Sequence, residues 1–167
     1  MGIAMRPDKS AGFTLIEVVV AIAIAGILAV LAVPNFLKLV EKTKLNAAAN
    51  TIKRQMLSAR TRAIADPYKH CGLAVDVSNQ KTYIFFDSLT PYTINTTDTV
   101  NKYTGVFIMP GTIIMSIPTG GSGIQNNCVV FRGDGSAKYG GSVQVTNKYN
   151  ATKTINVVAS TGRVKVQ

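Results

Sequence analysis

The sequence predicts an α+β protein: one long amino-terminal α-helix, its first half of membrane-spanning length, packed on a small antiparallel β-sandwich or sheet domain. Three observations carry this reading. Residues 13–37 form a 25-residue stretch whose single charge is Glu17. Residues 38–65 contain neither Gly nor Pro and place apolar side chains at spacings of three and four. From residue 67 onward the apolar period falls to two, and turns containing Gly, Asn or Pro recur.

The apolar stretch is the first element. At 1.5 Å per residue, about 20 such residues cover a bilayer core of roughly 30 Å. Arg6 and Lys9 precede it, so the positive-inside rule keeps the leader cytoplasmic and sends the remainder outward. A secretory signal peptide fits less well, because its apolar core runs to about 7–15 uncharged residues. Glu17 stands where such a core would begin. A carboxylate in a membrane helix costs about 3 kcal/mol, so it needs a counter-charge and points to a function. Cleavage between Gly12 and Phe13 would create an ammonium group four residues before Glu17.

Lys9-Ser-Ala-Gly12 followed by Phe13-Thr-Leu-Ile-Glu17 resembles the class III leader and cleavage site of type IV pilins and type II secretion pseudopilins. The resemblance implies that residues 1–12 are a cleaved leader peptide and that a prepilin peptidase cuts after Gly12 and N-methylates Phe13. Glu17 would pair with the terminus of an adjacent subunit during assembly. Pro34 matches the helix-kinking proline of the family. Residues 13–37 would be the transmembrane and filament-core helix, residues 38–66 its amphipathic continuation, and residues 67–167 a β-rich periplasmic pseudopilin domain. The implied location is the bacterial inner membrane, single-pass, and the assembled filament thereafter. The implied partners are other pilin or pseudopilin subunits, the prepilin peptidase, the inner-membrane assembly platform and inner-membrane lipid.

In the second half of the helix, Leu45, Ala48, Ala49, Ile52, Met56, Ala59 and Ala63 form one apolar stripe. Most of the Lys and Arg residues lie off it. Asp66-Pro67 ends the helix, because a residue before proline avoids the α region. Strands are expected at 70–77, 81–87, 105–109, 112–117, 128–132, 137–139, 143–146, 154–159 and 163–166. Residues 90–102 and 118–127 are expected to be loops.

A second resemblance lies in Val129-Val-Phe131-Arg-Gly-Asp-Gly135-Ser, Ser142-Val-Gln-Val145, Ile155-Asn-Val-Val158 and Thr161-Gly-Arg163-Val164. These look like the H-type minor pseudopilin domain, which type II secretion pseudopilins share with the FimT/FimU type of minor type IV pilins. The implied function is a minor subunit of a type II secretion pseudopilus, with a type IV pilus minor pilin as the alternative.

The 167-residue chain carries a net charge of +10. Arg6, Lys9 and Asp8 account for +1 of this, leaving +9 on the mature chain. Such a charge suits phosphate, anionic lipid or an acidic protein without choosing among them. Arg163 and Lys165, with Lys138, Lys148 and Lys153, are candidates for a DNA-binding patch. Some FimT-type pilins bind DNA through a Gly-Arg-x-Arg-like tail. Here the tail is Gly162-Arg163-Val164-Lys165, and lysine lacks the bidentate fork of arginine.

Cys71 and Cys128 are expected to form a disulfide if the domain is exported, the alternative being two buried free thiols. The bridge would close a loop of about 57 residues, which the chain-entropy model credits with roughly 4 kcal/mol. No catalytic triad order, metal-ligand cluster or phosphate loop is present, so neither an enzyme activity nor a cofactor is expected. Arg132-Gly133-Asp134 spells an adhesion tripeptide, but Asp134-Gly135 reads more simply as a hairpin turn.

Overall fold

In the computed structural model, residues 12–66, 70–87, 104–118 and 127–167 are described. The order of elements is α1 (Leu15–Ala65), β1 (His70–Asp76), β2 (Lys81–Asp87), β3 (Thr104–Ile108), β4 (Ile113–Ser116), β5 (Cys128–Phe131), β6 (Gly141–Asn147), β7 (Thr152–Val158) and β8 (Arg163–Val166). The chain divides into two units, Met1–Lys38 and Leu39–Gln167. The long helix and antiparallel sheets agree with the expected α+β class. The leader before Gly12 and most of the two expected loops lie outside the described residues.

In the first unit, every described side chain between Phe13 and Leu37 is exposed. Pro34 lies inside α1, where its missing N–H leaves the Val30 carbonyl without a helical donor. Among the described residues no single helix is long and apolar enough to cross a membrane. Leu15–Val30 and Ala32–Ala65 meet that test as a pair, by length and composition.

The second unit is built on two four-stranded antiparallel sheets, ordered β3-β2-β1-β5 and β4-β6-β7-β8. All seven residues of the expected helical stripe are buried, none more than 2% exposed. They join Leu73, Val129 and Phe131 of the first sheet and Met115, Val143, Val145 and Ile155 of the second in one core. The first sheet is apolar on both faces. Ala74, Phe85, Cys128 and Val130 form a separate buried cluster on its far side. Gly72 sits opposite Phe85, and a Cβ there would meet the Phe85 ring at 2.7 Å. The missing side chain lets the ring lie across β1.

Two expectations are corrected. Residues 137–139 are not a strand; only an isolated bridge joins Phe131 and Ala137. The Lys138 N–H donates to Val130 O in the first sheet, and the Ala137 N–H donates to Ala159 O beside the second. A segment that divides its bonds between two sheets cannot ladder along either. The second correction concerns the cysteines, which are both buried and not bridged to each other. Cys71 pairs in register with Phe131, and Cys128 with Ala74. The three-residue offset separates them by about 10 Å along the strand pair, beyond the roughly 7 Å limit for a bridge. An odd offset also sends them to opposite faces, one into each apolar cluster.

Side-chain amides hold the layers in register. Gln55 of α1 donates to Gly105 O and accepts a bond from Thr82 Oγ1. Gln80 in the β1–β2 turn donates to Met115 O at 3.1 Å and accepts from Met115 N at 2.5 Å. It thereby pairs with β4 as a neighbouring strand would. Losing both partners of a part-buried strand edge costs about 1–3 kcal/mol, so Gln80→Ala should lower the urea midpoint of the detergent-solubilised protein by that equivalent. An unchanged midpoint would remove Gln80 from this role.

Candidate functional site

The site begins where α1 begins. Thr14 precedes the first helical residue, and its backbone N–H and Oγ1 both donate to Glu17 Oε2 at 3.0 Å. The Glu17 N–H donates back to Thr14 Oγ1 at 3.4 Å. This reciprocal arrangement is a capping box, which satisfies helix-start donors and sets a negative charge near the positive end of the helix dipole. Sequence reasoning passed over it, although Thr14-x-x-Glu17 is its signature. The carboxylate remains exposed, Phe13 beside it is 87% exposed, and shallow apolar grooves lined by Val18, Ala21 and Ala25 and by Val20 and Ile24 run from it. An exposed acid within an exposed apolar helix, one turn from the Gly12–Phe13 bond, is placed to meet a cation from outside the chain.

A second acid, to which the sequence assigned no role, lies on the same helix. Glu41 is 3% exposed, and its Oε1 accepts a 2.9 Å bond from Lys44 Nζ. Its Oε2 is buried without a hydrogen bond, as is Thr112 Oγ1. The Lys44 hydrogen bond, opposed by burial, holds this carboxyl below its ordinary range. The signal was legible: Glu41 lies four residues before Leu45, on the apolar stripe itself.

The five candidate basic residues do not converge. Arg163 and Lys165 are exposed on one face of the edge strand β8, Lys165 opposite Asn156 and Arg163 opposite Val158. Lys153 has the parity of the inward-facing Ile155. Lys138 and Lys148 lie at opposite ends of β6, each stacked on the tyrosine that follows it. Gly162 has a structural duty: its φ is +60°, and a Cβ would meet Gly135 O at 2.0 Å. That same carbonyl accepts a 2.8 Å bond from Arg60 Nε, tying α1 to both turns. The Arg132–Ser136 segment is a closed hairpin turn, with the Ser136 N–H donating to Asp134 Oδ1 at 2.8 Å.

No group of His, Cys, Asp and Glu suited to a metal occurs among the described residues. Burial pushes the Cys71 thiol up to about 11, so it is not a nucleophile at neutral pH.

The Prokaryotic N-terminal methylation motif matches residues 7–33. The Type IV major pilin protein PilA of Myxococcus xanthus (strain DK1622) is 44% identical over 53 residues, 32% of this chain and 24% of that protein. The chain thus spans about a quarter of that relative's length. The minor pseudopilin EpsH of the Vibrio cholerae Type 2 Secretion System superposes with a TM-score of 0.52 at 10% identity, over 74% of this chain and 96% of that one. The type IV minor pilin FimU of Pseudomonas aeruginosa gives 0.55 at 12% identity, over 76% and 90%.

The fold is pilin-like. The solved structures share this fold at low identity, and the motif match lies in residues 7–33.

The lowered Glu41 carboxyl ties the stability of the domain to pH. A carboxyl held low in the fold adds stability above about pH 5, and that stability is lost as pH falls through the native value. Asp76, held low by the Asn79 side chain and N–H, acts with the same sign. Glu41→Gln should therefore flatten the fall in unfolding midpoint between about pH 5 and pH 3. Identical acid limbs in wild type and variant would show that Glu41 does not contribute.

Proposed function

We propose that this chain is a membrane-anchored minor subunit of a pilin-type filament, and that the filament is a type II secretion pseudopilus. The observation that carries the reading is the methylation motif over residues 7–33, seated on a helix start where Glu17 and Phe13 are both exposed. In this reading a prepilin peptidase cuts the Gly12–Phe13 bond and N-methylates Phe13. Residues 13–37 hold the subunit in the inner membrane, with residues 67–167 in the periplasm. The assembly platform then moves the helix into a filament core. There Glu17 meets the terminal ammonium of a neighbouring subunit, and Pro34 kinks the helix to fit. The role is structural, not enzymatic.

A type IV pilus minor pilin is the alternative. One observation favours a DNA-binding version of it: Arg163 and Lys165 project side by side from β8, an edge strand. Retardation of DNA by the protein, lost with Arg163→Ala/Lys165→Ala, would support that version. Deleting the gene and scoring secreted protein against surface piliation separates the two machines.

Two substitutions test the common core of both readings. Gly12→Ser should leave the protein at precursor mass; a mature-sized product moves the cleavage site elsewhere. Glu17→Gln preserves the capping box, since glutamine serves at that position, but removes the charge. It should be processed normally yet enter filaments about tenfold less, an effect of roughly 1.4 kcal/mol. Normal incorporation would end the charge-pairing role.

A further inference from the structure

Each sheet ends in two edge strands, and three of the four edges are closed or guarded. At β5, the Lys138 N–H donates to Val130 O, and a bridge joins Phe131 to Ala137. At β4, the Gln80 side chain holds both Met115 N and Met115 O. At β8, Arg163 and Lys165 are exposed, and charge on an edge strand discourages a further strand. Among the described residues β3 has none of these devices. It bears no charged side chain, and its Val106 and Ile108 are 57% and 61% exposed.

The open edge offers backbone hydrogen-bonding groups. Just past β3, the Met109 N–H donates to Gln80 O, and Ile108 lies opposite Lys81. Successive residues of an antiparallel strand turn their N–H and C=O groups to opposite sides, so those of Ile108 point away from β2. Another extended backbone is the partner that matches such groups. Its side chains would alternate between two surroundings. On the outer face they would lie beside Val106 and Ile108, which favours apolar residues. On the inner face they would meet α1. Gln55 donates to Gly105 O and accepts from Thr82 Oγ1, so the helix crosses this sheet at its β3 edge. Thr51 and Ser58 lie one turn either side of Gln55, and the exposed Arg54 continues that flank toward solvent. Between Lys42 and Ala65 the helix carries six basic residues and no acid. That surrounding favours carboxylates.

We propose that the free edge of β3 docks an extended segment of another protein, apolar and acidic at alternate positions, as a fifth strand of the first sheet. Backbone bonds to Ile108 attach it, contact with Val106 and Ile108 fixes which face is outward, and the basic helix selects the acids. The inference uses the second unit alone and does not depend on which filament the chain serves.

The test uses the full-length chain in a non-ionic detergent, with amide exchange read residue by residue. The probes are end-blocked peptides of about seven residues, enough to pair with the five residues of β3. One alternates Val and Glu, a second alternates Val and Lys, and a third holds the composition of the first in two blocks. The Val–Glu peptide should bind at least about tenfold more tightly than either of the others and slow exchange of the Ile108 amide by a similar factor. Ile108→Lys, at a position already exposed, should abolish this binding with an unchanged thermal midpoint. Arg54→Glu leaves β3 untouched and should cut the preference for Val–Glu over Val–Lys about fivefold. It decides the outcome should Ile108→Lys lower the midpoint. Equal binding of the three peptides, no binding at about 1 mM, or binding that leaves the Ile108 amide unprotected overturns the proposal. So does protection of that amide without peptide that rises with protein concentration, which would assign the edge to a second copy of this chain.

Discussion

Ile52, Met56 and Ala59 are fully buried in a core to which both sheets contribute, and the folded domain depends on that shared burial. Each sheet has four strands and an apolar face that must be covered. The helix supplies what neither has, a continuous apolar ridge that both can cover. Alanines at 48, 49, 59 and 63 keep the ridge low, so backbone and strands approach closely. Polar side chains then fix the arrangement that burial alone leaves free to slide. Gln55 and Arg60 bind carbonyls on the β domain, and Gln80 occupies the edge of β4. These bonds are directional, so they select one register among several that would bury similar area.

The same physics has the opposite outcome at the start of the helix. From Phe13 to Leu37 the described apolar side chains are exposed, with no covering element among the described residues of their own unit. Exposed apolar surface on this scale marks a membrane or subunit interface. Two acids interrupt the helix, and each is accommodated differently. Glu17 closes a capping box at the surface and stays open to an outside cation. Glu41 is buried, and its charge is met from within by Lys44. The first faces outward, and the second is held within the domain that both sheets build.

Much of this was legible from local pattern. The helical stripe from Leu45 to Ala63 could be read directly, because a period of 3.6 that persists for five turns has no competing explanation. Most of the β strands followed from alternation and turn chemistry, and the Asp134-Gly135 turn closes as expected. Residues 137–139 misled because alternation records which side chains are buried, not which sheet a backbone pairs with. Five basic residues looked like one patch because sequence counts charges without placing them.

The sequence by itself determined the apolar amino-terminal helix with its lone acid and the basic character of the chain. It also determined the α+β class, because periodicity and charge are properties of neighbouring residues. Only the tertiary structure decided the state of the cysteines, the scattering of the lysines and the burial of Glu41. Those depend on strand register and on which face of a sheet meets the helix. A one-residue change in register reverses the faces, and nothing local to Cys71 or Cys128 encodes their three-residue offset.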